Sequence, residues 1–148
     1  MEPVRIVRAG ADDALVVAAL LLQMRRAKGE EPGLDFLQLT ARTWHAHRRD
    51  LPSWIAQHEG AHAGLIQVAR VPVPTGRSTR AWLHPPFVRP DHRGGGVGPA
   101  LIHAAIEWAK GAGQRLIIAE PDPADEQVYT DLGFALVEPA LALRRFDV

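Results

Sequence analysis

The chain has 148 residues, 47% of them hydrophobic and 23% charged, the make-up of one globular domain over residues 1–148 with a single sizeable core. Its formal net charge is zero and it holds no cysteine. Bulk charge therefore offers no attraction to nucleic acid or to a membrane surface, and disulfides, thiolate nucleophiles and thiolate-bound metals are excluded. The N-terminal MEPVRIVRAGADD carries charges where a secretory leader is apolar, and the longest apolar run, Ala14 to Leu22, is too short to span a bilayer; a cytoplasmic protein is expected.

Taken in chain order, Val4 to Arg8 alternates, with Val4, Ile6 and Arg8 on one face, and predicts a first strand. Asp12 or Asp13 caps an apolar helix running to about Arg26. KGEEPG is a loop, and a second helix follows from Leu34 to Arg49, with Leu34, Leu37, Ala41, Trp44 and Arg48 on its inner face. Trp54 to Gln57 and His62 to Val71 read as strands joined by a turn at Glu59-Gly60. Beyond a Pro/Gly loop, Arg80 to Arg89 predicts another strand. PDHRGGGVG then opens a helix from Pro99 to about Ala112, with Leu101, Ala105, Trp108 and Ala112 as its buried stripe. Leu116 to Ala119 is a short buried strand, Ala124 to Leu132 a short helix, and 135–137 and 140–146 two closing strands. The expected order is β-α-α-β-β-β-α-β-α-β-β. That is an α/β (α+β) domain in which helices flank a mixed, mostly antiparallel central sheet.

Two motifs bear on chemistry. HEGAH, from His58 to His62, matches the zinc-protease pattern H-E-x-x-H. That pattern works only on a continuous helix, which sets both histidines on one face, and it needs a third ligand. Gly60 and Gly64 and the strand-like flanks argue for a hairpin instead, with His58 and His62 straddling its tip, so no metal is expected. His45 and His47 are two apart on a helix and point in different directions, one towards solvent and one partly buried. Ser53 and Ser78 lie in turn contexts outside any G-x-S-x-G.

RGGGVG, from Arg93 to Gly98, lies between a strand and a helix. Glycines let the backbone turn tightly, and N–H groups at a helix start attract anions, so a phosphate or pyrophosphate is the natural guest. The spacing is neither the dinucleotide G-x-G-x-x-G nor a Walker loop. A bare glycine turn before a helix is an equally available account of the motif alone.

With its flanks, the pattern resembles the GNAT superfamily of acyl-CoA-dependent N-acyltransferases. Val88, Pro90, Arg93, Gly96 and Gly98 fit V-x-P-x-x-R/Q-x-x-G-x-G, and Tyr129, Gly133 and Phe134 fit Y-x-x-x-G-F. VRIVRAGADD is similar to the family's first strand and helix cap, and WIAQHEGAHAGLIQV to its hairpin. The resemblance implies a single GNAT-like domain that transfers an acetyl (acyl) group from acetyl-CoA, as co-substrate, to a primary amine of a small molecule or peptide by direct attack in a ternary complex. It implies that the amides of Arg93, Gly94, Gly95, Gly96, Val97 and Gly98 cradle the CoA pyrophosphate. It further implies that Phe87, Val88 and Arg89 pair with the pantetheine arm, and that Tyr129 protonates the departing thiolate. Homodimers are common in the family.

An amine protonated near neutral pH must first lose a proton. His84, four residues before Val88, is the first candidate base, and Glu120, at the end of the next strand, the second. Three departures stand out: Pro99 removes one N–H from the helix start, Pro85-Pro86 interrupts the central strand, and Asp122 stands where the family often has Asn. Glu30, Glu31, Asp35, Glu120 and Glu138, with Trp44 or Trp82 as an apolar wall, suit a cationic amine. The alternatives are a noncatalytic CoA-binding or regulatory domain on the same fold and, behind it, a zinc hydrolase using His58, Glu59 and His62.

Overall fold

The computed structural model describes residues 3–72, 79–114 and 117–135. The expected strands at 135–137 and 140–146, and Glu138, lie outside the described residues, apart from Ala135, which is not in a strand. The elements are β1 (Arg5–Arg8), α1 (Ala14–Ala27), α2 (Phe36–His47), β2 (Ser53–His58), β3 (Ala61–Pro72), β4 (Thr79–Leu83), β5 (Phe87–Val88), α3 (Val97–Gly111), β6 (Ile117–Ala119) and α4 (Glu126–Asp131). The sheet runs β1-β2-β3-β4-β6, and β5 pairs with β3 beside β4. All pairings are antiparallel except that of β4 with β6. The expected mostly antiparallel sheet is therefore present. Among the described residues no helix is long and apolar enough to cross a membrane.

Local chemistry explains most boundaries. The Asp13 carboxylate accepts the Gly10 N–H at 2.7 Å, closing the turn that leads into α1. Glu59 and Gly60 both take left-handed backbone angles, φ 51° and 75°, the conformation of a tight two-residue hairpin turn. The second helix begins at Phe36 and not at Leu34, whose side chain is fully exposed. The chain first makes a turn, closed by the Phe36 N–H on the Gly33 carbonyl at 3.0 Å, and the helix follows from Asp35, whose carbonyl accepts the Leu39 N–H at 3.0 Å. His45 and His47 are both exposed, correcting the expectation of one partly buried ring.

The sheet divides the core in two. On one face Trp54, Ala56, Ile66, Val68 and Leu83 pack with Leu101, Ile102, Ala105 and Ile106 of α3. On the other, Ile55, Leu65 and Phe87 pack with Val17 and Leu20 of α1 and Trp44 of α2. Alternation along β2 and β3 accounts for both sets. Leu83 and Phe87, four residues apart, would share a face in one continuous strand. They lie on opposite faces because the expected strand 80–89 is two strands. Leu83 pairs with Val68 and Phe87 with Leu65, so four steps on one side match three on the other. One inserted residue reverses the facing of everything after it. Pro85 and Pro86 sit in that insertion, where no ladder N–H is needed; the last N–H before them, on His84, is given to the Gln67 carbonyl at 3.0 Å.

Trp44 is fixed by a buried polar knot. Ser53 Oγ accepts from Trp44 Nε1 at 3.0 Å and from Gln67 Nε2 at 3.2 Å, and donates to the Leu51 carbonyl at 2.8 Å. Ser53 is fully buried, so replacing it strands two donors and one acceptor. Ser53→Ala should lower stability by about 1–3 kcal/mol, read as a lower denaturant midpoint at unchanged slope; an unchanged midpoint would mean that the knot contributes nothing.

Candidate active site

The split between β4 and β5 opens a cleft of about 740 Å³. β4 continues the sheet to β6, while β5 pairs only with β3 among the described strands. In the ladder, Arg89 N–H donates to the Ala63 carbonyl at 2.8 Å. Antiparallel alternation therefore turns the N–H and C=O of Val88 away from β3, towards the opening. The Val88 carbonyl there accepts Arg93 Nε at 3.3 Å. β5 lies very close to β3 at Gly64: a Cβ on that glycine would stand 2.5 Å from the Phe87 carbonyl oxygen. Only glycine admits this approach.

From β5 the chain makes a short 3-10 turn at Pro90–His92 and enters the glycine loop. Gly94 and Gly96 have φ of 84° and 81°, angles that strain any residue with a Cβ. Gly96 is the N-cap of α3. The helix thus begins at Val97, two residues before the expected Pro99, and Pro99 is its third residue. The Ala100 N–H is satisfied by the Gly96 carbonyl at 3.1 Å. Pro99 thus stands where helix geometry leaves an N–H unpaired anyway, and its missing donor leaves the N–H groups of Val97 and Gly98 at the helix start.

Of the residues singled out from sequence, His84, Phe87, Val88, Arg93, Gly94, Gly96, Val97 and Gly98 line this one cleft. Four do not. Gly95 faces the hairpin instead: a Cβ there would meet His58 Cε1 at 3.3 Å. Arg89 lines a smaller cavity of about 280 Å³, with His62 and residues of α1. Glu120 is exposed beyond the end of β6. Tyr129 is buried in the α3 side of the core, edge-on to Phe134 with ring centroids 5.4 Å apart. Its hydroxyl is closed to solvent and has no hydrogen-bond partner among the described residues. Burial, then the nearby carboxylates of Asp125 and Asp122, push its pKa up to about 12.

Several lining residues were not singled out from sequence. Leu21 and Met24 of α1 and Lys28 just past its end form one wall, and Asp125 and Val128 another. Leu21, Met24 and Lys28 recur at three- and four-residue spacing, a signal of a common face that the uniformly apolar α1 obscures. Asp122, set aside for departing from the family pattern, also lines the cleft. The proposed acceptor groups fare differently. Glu30 is ion-paired with Arg25, Glu31 and Asp35 are exposed outside the cleft, and Trp44 is held in the core by Ser53. Trp82 is half-buried and does not line the cleft.

HEGAH is a hairpin tip. His62 is exposed, whereas His58 is buried and meets His92, from the turn before the glycine loop, with their Nδ1 atoms 3.0 Å apart. Of the three H-E-x-x-H groups, Glu59 alone joins His58 in a cluster able to hold a metal, and the third member is His92.

Comparison with known proteins agrees with this geometry. A model of the acetyltransferase (GNAT) family matches residues 18–134. Over 57 residues the chain is 42% identical to an uncharacterized N-acetyltransferase of Methanocaldococcus jannaschii; the stretch is 36% of this chain and 25% of that relative, so the chain matches only a quarter of the relative's length. A predicted acetyltransferase from Clostridium acetobutylicum, solved with acetyl-CoA, superposes with a TM-score of 0.76 at 18% identity over 96% of each chain. A ribosomal-protein-alanine N-acetyltransferase from Brucella melitensis biovar Abortus superposes at 0.75, with 20% identity, over 98% of this chain and 100% of its own. At these identities the solved structures share the fold.

Tyr129 is the chain's one tyrosine, so phenolate absorbance reports it alone. The titration midpoint of the folded protein should lie near 12, against about 10 for a free phenol. Because the folded pKa is raised, the neutral phenol's contribution to stability is complete below about pH 10 and is lost as pH rises towards the folded value. A folded-state midpoint near 10 would show the hydroxyl to be hydrated.

Proposed function

We propose, since this chain belongs to the acetyltransferase (GNAT) family, that it transfers an acyl group from acetyl-CoA to a primary amine within a ternary complex. One observation carries this reading: the open main-chain edge of β5 and the glycine loop at the start of α3 line a single cleft. An extended pantetheine arm needs main-chain partners along its length, and Val88 offers them. A pyrophosphate needs a cradle of N–H groups, and the loop from Arg93 to Gly98 offers one, aided by the positive end of the α3 dipole. Phe87 and Arg89 flank that edge; their roles are to hold β5 against β3.

In the proposed reaction the acceptor amine gives a proton to His84, which lines the cleft beside the Pro85-Pro86 insertion. The nitrogen then attacks the thioester carbonyl. The resulting tetrahedral species gives the nitrogen's surplus proton to water and collapses with cleavage of the C–S bond, and the thiolate leaves with a hydrogen bond from Tyr129, or with its proton, which solvent then restores. Two features of Tyr129 bound that role. Its hydroxyl is closed to solvent, so bound acyl-CoA has to uncover it. With its pKa pushed to about 12, full proton transfer is harder than for a free phenol, and hydrogen-bond donation to sulfur is favoured. Glu120, exposed at the end of β6, is the second base, reaching the amine through water. Asp122 and Asp125 add negative charge to the cleft wall, which suits a cationic small-molecule or peptide amine.

The chain lacks cysteine, so release of free CoA can be followed with a thiol reagent against no protein background. Incubation with acetyl-CoA and a panel of polyamines, aminoglycosides and N-terminal peptides should give amine-dependent thiol release. His84→Ala should lower kcat by about 10²–10⁴-fold with acetyl-CoA affinity retained, and Tyr129→Phe should lower kcat with KM for acetyl-CoA unchanged. Tight acetyl-CoA binding without turnover on any amine would favour the noncatalytic alternative.

A further inference from the structure

His58 and His92 lie 34 residues apart in sequence, and their side chains are 8% and 7% exposed. The rings pack edge to face with centroids 5.3 Å apart and an interplanar angle of 68°. Their Nδ1 atoms face each other at 3.0 Å. The remaining nitrogen of each ring looks towards a carboxylate: His58 Nε2 is 4.0 Å from Glu59 Oε1, and His92 Nε2 is 3.7 Å from Asp91 Oδ2. At these distances neither carboxylate is hydrogen-bonded to its ring, so Glu59 is free to serve as a ligand itself. In one tautomer the Nδ1 atoms share an N–H···N hydrogen bond; with both ring protons on Nε2 their lone pairs converge on one point, a ready pair of nitrogen ligands for a cation.

We propose that His58 and His92, with Glu59, bind one transition-metal dication of the zinc class at the root of the glycine loop. Imidazole nitrogen is a favoured ligand for zinc, copper, cobalt and nickel. One ligand atom from each of His58, Glu59 and His92 lies within 4.8 Å of the others. Around a tetrahedral zinc, nitrogens at about 2.0–2.1 Å from the metal stand roughly 3.4 Å apart. The pair therefore needs to open by only a few tenths of an ångström. Glu59 is exposed at the hairpin turn while both histidines are buried, which gives the ion an entry side and an anionic ligand to offset its charge. Solvent supplies the remaining position. The site differs from the H-E-x-x-H arrangement in one checkable respect: its second histidine is His92, and His62 has no part in it. A bound ion would tie the β2–β3 turn to the segment that begins the glycine loop, where Gly95 already lies against His58.

The test uses tag-free protein stripped with EDTA. Calorimetric titration with zinc, repeated with cobalt(II) to follow its visible absorption, should show one dication per chain and a raised unfolding temperature that EDTA reverses. His58→Gln and His92→Gln should each weaken binding by more than the roughly 10–100-fold that loss of an outer partner costs. His62→Ala and His45→Ala should leave it unchanged. Should the buried histidine variants fail to fold, the intact protein still decides: cobalt(II) should shift the ring resonances of His58 and His92. Absence of binding, loss of binding in His62→Ala, or shifts confined to other histidines would overturn the proposal.

Discussion

Two adjacent prolines, Pro85 and Pro86, set the geometry on which the site depends. Neither has an N–H to give to a ladder, so the strand that enters as β4 cannot continue in register along β3. The chain takes one extra residue to pass them, and that residue turns Phe87 to the face opposite Leu83. The same step separates β5 from β4. β4 pairs with β6 on its far side, whereas the far side of β5 opens on the cleft. A sheet that must bury its edges thus keeps one short edge available, the device by which an extended ligand can be held through main-chain bonds.

Close packing then fixes that edge in place. Gly64 lets the Phe87 carbonyl approach where a Cβ would collide, and Phe87 itself is anchored among Val17, Leu20 and Trp44. The glycine loop follows directly and is braced from the other side by the hairpin tip, through His58 against Gly95 and through the His58–His92 contact. The cleft is therefore built on rigid elements on both flanks, and the two helices that meet there, α1 and α3, belong to opposite faces of the sheet.

Much of this was legible in the sequence. The apolar run of α1, the Leu101 and Ala105 face of α3, the Glu59-Gly60 turn and the apolar run of β6 are local patterns, and local patterns survive folding, although Ala112, expected on the same stripe of α3, lies exposed past its end. The glycine loop was legible as a tight turn before a helix because the required backbone angles select glycine at Gly94 and Gly96. What was missed is what depends on distant partners. Pro85-Pro86 signalled an interruption, but the reversal of Phe87 follows from its register against Leu65, which only the folded sheet defines. The start of α3 was set too late because Gly96 caps in a left-handed conformation that composition does not announce. Leu34 matched a helical period by spacing alone and lies outside the helix. The burial of Tyr129 arises from α3 and Phe134, not from its own neighbours. The meeting of His58 with His92 joins two segments with no common pattern.

The central claim is that the main-chain edge at Val88 receives the pantetheine arm of acetyl-CoA. The most direct measurement is amide NMR of ¹⁵N-labelled protein during titration with acetyl-CoA, with hydrogen exchange followed at saturation. The account predicts a large shift of the Val88 amide and slower exchange there, while Arg89, already bonded to the Ala63 carbonyl, stays protected and changes little. Binding of acetyl-CoA with Val88 unshifted and freely exchanging would contradict it.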